Sequence, residues 1–147
     1  MSGRLIGIAR KAEIGAEPEA IARAHVSIEA GVEGDFRGRT QELRKVTVIA
    51  RKAWEAACKE LGRDLPWTTR RANLYVESIA LPQRIGARLS IGGTVLEVVE
   101  ETNPCNRMEK GAKGLRTALT PDWRGGVCCS VIEPGDIEIG APVELVE

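Results

Sequence analysis

The chain has 147 residues, with 21 basic residues balanced by 21 acidic ones and 43% hydrophobic residues. That length and balance fit one folded domain and exclude a disordered tail, a collagen-like fibre or a coiled coil; the zero net charge supplies no global attraction to nucleic acid or an anionic membrane. Aromatic residues are 3% and there is one histidine, which argues against base-stacking modules and excludes metal sites needing several imidazoles.

The start, Met1 to Leu5, lacks the apolar stretch of a signal peptide, so a cytosolic protein is the expectation. No apolar run reaches the ~18–20 residues of a membrane-spanning helix. Leu5, Ile6 and Ile8 lie in an opening strand. Ala22, Ala24, Val26 and Ile28 alternate with polar neighbours, a half-buried strand by its period of two. Gly31, Gly34, Asp35 and Gly38 mark a polar loop. It lacks the Lys-Ser/Thr of a phosphate-binding loop and the G-x-G-x-x-G pattern, though Asp35 and Arg39 could form a site wall. Val46, Val48 and Ile49 form a β-branched strand.

From Arg51 the period becomes helical through Ala53, Trp54, Ala57, Cys58 and Leu61, and Gly62 stops the helix. Cys58 falls on its apolar face. Arg70 and Arg71 precede Ala72-Asn73. Guanidinium forks suit oxyanions and an Asn amide can orient a ligand, while a solvated basic turn fits the same residues. Residues 73–76 read as a strand, and Gly92-Gly93 joins two apolar runs as a hairpin. Thr102-Asn103-Pro104-Cys105 ends the second run. Residues 106–119 are basic with a weak helical pattern, and Val127 to Ile132 form another strand. There Cys128 and Cys129 must face opposite sides. Short strands follow at Ile137 to Ile139 and Pro142 to Val146. Many short strands at close spacing predict a mainly β fold with few helices, closed as a barrel.

Cys105 is the most suggestive position. Pro104 turns the chain before it, and Arg107, Lys110 and Lys113 follow, cations that would stabilise a thiolate. A packed structural thiol at a strand end fits that spacing too. The four cysteines contain no C-x-x-C pair, so a zinc knuckle is not expected. His25, on the polar side of its strand, reads as a satisfied or exposed imidazole.

Several short segments, in order, resemble the MOSC domain, the module at the C-terminus of molybdenum cofactor sulfurases that also occurs alone. They are residues 31–35, 44–48 and 71–74, Leu89-Ser90-Ile91-Gly92, Pro104-Cys105, Gly125-Gly126-Val127 and residues 135–140. The resemblance covers nearly the whole chain, 1–147, as a single domain. It implies a MOSC-type β-barrel in which Cys105 is the family's distinctive cysteine, a persulfide sulfur carrier or a molybdenum ligand. It further implies the molybdenum cofactor (molybdopterin) as the bound group, with Arg71, Arg107 and Lys110 as oxyanion contacts and Asn73 as an orienting group. The implied activity is molybdenum cofactor sulfuration or a molybdenum-dependent reduction. The chain has no pyridoxal phosphate-binding, aminotransferase-like part, so the implied partners are a cysteine desulfurase or a molybdoenzyme. Where the family usually shows Gly-Asp near its end, Gly140-Ala141 stands here. The other reading is a non-catalytic binding module that delivers a partner to an enzyme.

Overall fold

The computed structural model describes residues 2–102 and 106–146, the side chains of Asn106 and Arg107 excepted. β1 (Ser2–Arg10) pairs antiparallel with β11 (Pro142–Val146) on one side and β6 (Leu74–Glu77) on the other. The ladder continues from β11 through β7 (Arg88–Ile91), β8 (Thr94–Glu101), β9 (Val127–Glu133) and β5 (Val46–Ala50) to β6. Seven strands thus close on themselves, which removes their free edges. The short β2 (Glu19–Ile21) hangs on β1 outside the ring, and no periodicity announces it. A small separate sheet joins β10 (Gly135–Glu138), β3 (Arg23–Ser27) and β4 (Gly31–Val32).

Within the barrel β5 and β6 are parallel, the others antiparallel. A parallel pair needs a crossover, and α2 (Arg51–Leu61) lies in that connection. Its C-terminus is closed by Gly62 at φ 68, whose N–H reaches the carbonyls of Cys58 and Lys59, as the periodicity and the glycine stop require. The hairpin is in the expected register, with Ile91 opposite Thr94 across Gly92-Gly93.

β5 is buried on both faces because it separates two cores. Val46, Val48 and Ala50 belong to the barrel interior, with Leu5, Leu89, Val98, Val127 and Cys129. Ile49 faces outward into a second core with Trp54, Ala57, Cys58, Met108, Leu115 and Leu119. That second core seats α2, α3 (Asn106–Gly111) and α4 (Leu115–Leu119) against the barrel wall. The weak pattern of residues 106–119 is therefore two helices, broken at Gly114 in a left-handed conformation (φ 88).

The polar loop expected after Gly31 is instead β4 followed by α1 (Phe36–Thr40). Asp35 is its N-cap: one carboxylate oxygen accepts from Gly38 N–H at 3.2 Å and the other from Lys11 N–H at 2.9 Å. Gly38 is buried beneath the Ala30 carbonyl, where a β-carbon has no room. β3 alternates less cleanly than its sequence: Val26 is buried, but Ile28 lies beyond the strand and is exposed. Among the described residues no helix is long and apolar enough to cross a membrane.

A candidate anion-binding cleft on the outer wall of the barrel

Cys128 of β9 and Glu100 and Glu101 at the end of β8 line this site, with the buried Thr47 of β5 against Cys128. Cys129 points into the barrel core and its neighbour Cys128 points out, as strand alternation demands. Cys128 is opposite Thr47, and its Sγ lies 4.0 Å from Thr47 Oγ1. Thr47 Oγ1 also accepts from Arg37 Nη1 at 2.6 Å. A register shift between Val98 and Glu100 on β8 sets Glu100 opposite Cys128. Bulges of this kind re-aim side chains beside functional clefts. Glu100 there accepts from Arg44 Nη1 at 2.9 Å.

The resulting cavity has a volume of about 360 Å³, and its polar walls include Arg37, Arg44, Arg70 and Arg71 against Glu100 and Glu101. Four guanidinium groups against two carboxylates leave an excess of positive charge. Arg71 also lines two adjoining clefts. One, of about 230 Å³, holds Asn73, Arg37, Phe36 and Lys11; the other, of about 540 Å³, holds Lys110, Thr68 and Thr69.

Arg70 and Arg71 are neighbours with opposite fates. Residues Trp67–Arg70 make a 3-10 turn, and Arg71 closes it in a left-handed conformation at φ 68. That reversal sends Arg70 inward. It is 4% exposed, so the solvated-turn alternative is overturned for this residue. Its Nε donates to Gly125 O at 3.0 Å and Nη2 to Thr102 O at 3.1 Å, while Nη1 lies 3.8 Å from Met108 Sδ. Arg71 stays half-exposed, and its guanidinium has no hydrogen-bond partner among the described residues.

Of the residues singled out from sequence, Arg71, Asn73 and Lys110 are described and all three line the connected clefts. Asn73 is buried, and its amide clamps the scaffold: Oδ1 accepts from Thr47 N–H at 3.0 Å and Nδ2 donates to Ala9 O at 3.2 Å. Lys110 is exposed on α3. Cys105 and the Arg107 side chain lie outside the described residues. The residues that flank them, Thr102 and Met108, both line the cavity that holds Cys128.

Sequence reasoning missed Arg37, Gln41 and Arg44 as residues of the site, and it named Arg70 with Arg71 without separating their roles. A signal for the first two was present: Asp35 as an N-cap starts a helix, which puts Arg37 and Gln41 at i and i+4 on one face. Arg39, favoured instead, turns away, donating to Ala12 O at 2.9 Å and sitting 5.3 Å above the Phe36 ring. Asp35 lines the smallest of the clefts but is held by backbone.

Burial pushes the Cys128 thiol above its ordinary range, and the Arg37 charge opposes the shift only in part. Desolvation drives Cys129 up further. Neither is a ready thiolate at neutral pH. No group of three or more His, Cys, Asp or Glu suited to a metal ion occurs among the described residues. The donor set fits a phosphate-bearing anion, which guanidinium forks hold well, rather than a cation coordinated by protein ligands alone.

No curated protein matches the chain in sequence. The structure is similar to YuaD from Bacillus subtilis, with a TM-score of 0.84 and 15% identity over 99% of this chain and 96% of that one. It also resembles YiiM from Escherichia coli (TM-score 0.73, 18% identity, 98% and 70% covered). YiiM from Geobacillus stearothermophilus gives a TM-score of 0.70 at 17% identity, with 99% and 73% covered. The family model described as the MOSC domain matches residues 35–144, a span that takes in the barrel strands from β5 to most of β11, though not β1, together with α1, the 3-10 turn bearing Arg70 and Arg71, and the helical layer. The chain belongs to the MOSC domain family.

Proposed function

We propose that this MOSC protein handles sulfur or a molybdenum cofactor through Cys105, at the arginine-lined cleft. The observation that carries this is the position of Thr102 and Met108. They flank the segment bearing Cys105, and both line the cavity walled by Arg37, Arg44, Arg70 and Arg71. Guanidinium charge near a thiol favours the thiolate, the form that attacks sulfur or ligates a soft metal.

In the sulfur-carrier role, the Cys105 thiolate attacks the outer sulfur of a donor persulfide. A new S–S bond forms on Cys105, the donor's S–S bond breaks, and the donor leaves as its thiolate, with no net redox change. A cysteine desulfurase is the donor class that chemistry requires, and a molybdoenzyme the acceptor class. Arg71 and Lys110 bind oxyanions of the incoming group, joined by Arg107, and Asn73 retains a second amide hydrogen for it. A bound molybdenum cofactor would supply a soft metal centre for the Cys105 sulfur, with its phosphate on the guanidinium groups. A cytosolic location accords with a reduced, reactive thiol.

The test is intact mass of the purified chain after incubation with a sulfur donor, read before and after reductant, alongside molybdenum content. A reductant-labile gain of one sulfur, absent from Cys105→Ala, is expected. Cys128 and Cys129 are buried and poorly ionised, so they should not compete. No sulfur gain and no molybdenum uptake would overturn the reading, as would a gain that survives Cys105→Ala.

A further inference from the structure

One cavity shares no lining residue with the clefts around Arg71. It has a volume of about 570 Å³, within the ~300–1,000 Å³ range of small-molecule sites. Its floor is the mouth of the barrel, where Ala50, Val76 and Val127 end the interior core. Ile79, Leu81 and Trp123 wall it, and Leu81 and Trp123 are only partly buried against that core. The lining is thus largely aliphatic, with one indole face.

The two loops over this mouth hold unusual backbone. Ser78 (φ 62), Asp122 (φ 51) and Trp123 (φ 54) are three of the four non-glycine residues with positive φ among the described residues. For a side chain as large as Trp this is a strained conformation. Such strain persists where surroundings over-determine it, and it gathers at ligand clamps. The loops are tied by Gln83 Nε2 donating to Asp122 O at 3.0 Å.

The rim is cationic. Arg51, Lys52 and Arg124 face Glu77 and Asp122. Glu77 is already occupied by Arg4 and Arg51, at 2.6 and 3.0 Å. Arg124 holds Glu60. The Lys52 ammonium has no partner among the described residues. Lys52 also sits with Arg51 in the first turn of α2, which has no acidic residue and no side-chain cap. Cations there oppose the helix dipole, a local conflict that an anion at the rim would relieve.

We propose that the barrel mouth is a second ligand site, for a small aromatic monocarboxylate. Its ring lies against Trp123 and the aliphatic wall, and its carboxylate reaches Lys52. This proposal does not rest on the reading of Cys105, and the site shares no lining residue with the clefts around Arg71.

The test titrates the full chain with phenylacetate and with neutral phenylacetamide, followed by tryptophan fluorescence and by proton NMR contacts to the Trp123 indole. Saturable binding of phenylacetate in the ~millimolar range or tighter is expected for a ligand of this size. The acid should bind about two- to fivefold better than the amide, the effect of one exposed charge pair, and salt should erode that preference. Lys52→Gln, a change at an exposed position, should remove the preference and leave the apolar binding. Ala53→Phe should fill the cavity and abolish both. Absence of saturation, equal binding of acid and amide, or ring contacts away from Trp123 would each overturn the proposal.

Discussion

Arg70 and Arg71 allow a sharp comparison, because one substitution can be made at two adjacent positions. Arg70→Met keeps the aliphatic stem but removes the guanidinium bonds to Gly125 O at 3.0 Å and Thr102 O at 3.1 Å. Each bond from a charged donor contributes ~1.5–3 kcal/mol. Part of that is offset because a buried cation no longer has to be desolvated. The net expectation is about 3 kcal/mol of destabilisation, with two carbonyls left short of a donor. At ~2–4 °C per kcal/mol for a domain of this size, that lowers the melting temperature by about 6–12 °C. Arg71→Met breaks no such bond and should cost under ~0.5 kcal/mol. Urea unfolding followed by circular dichroism measures both, with an unchanged slope showing that the transition stays comparable. The reasoning fails if Arg70→Met stays within about 1 kcal/mol of the parent protein, or if Arg71→Met costs as much.

Two further outcomes follow from the titratable groups. Tyr75 is the chain's sole tyrosine; it stacks on Trp67 at 5.1 Å, and burial, followed by the nearby Glu55 charge, pushes its hydroxyl up to about 12. Ultraviolet titration should show tyrosinate forming near that pH in the folded protein and near the ordinary 10.0 in denaturant; a folded-state midpoint at the ordinary value refutes the burial. His25 Nδ1 pairs with an Asp136 oxygen at 2.7 Å, and this hydrogen bond raises the imidazole above its ordinary 6.5. A raised pKa contributes stability that is fully present below the unfolded value and is lost as pH rises through the folded one. An NMR titration should therefore give His25 a pKa above 6.5 that falls back in Asp136→Asn. The small stability gap between the two proteins should close at higher pH, and an unshifted His25 in the parent would remove its basis.

Local signals were enough wherever neighbours in sequence are neighbours in space. α2 could be read from Arg51 to its Gly62 stop because a helix repeats within one turn and Gly tolerates φ 68. The Gly92-Gly93 hairpin and the opposed faces of Cys128 and Cys129 are equally local. The order of strands, turns and the Pro104-Cys105 pair carried the family and the barrel. What stayed hidden depends on closure. Arg37, Arg44, Arg70 and Arg71 meet only because β5 and β9 are ladder partners and the turn after Trp67 folds across them. No periodicity distinguishes Arg70 from Arg71. The left-handed backbone at Arg71 does, by sending one guanidinium inward among carbonyls and leaving its neighbour at the cleft. The sequence alone determined the elements with clear hydrophobic periods and stops, because those signals are short-range, while β2 and α1 carried none strong enough to be read. Only the tertiary structure decided which charges share a cavity, because that follows from strand register and loop closure over long sequence separations.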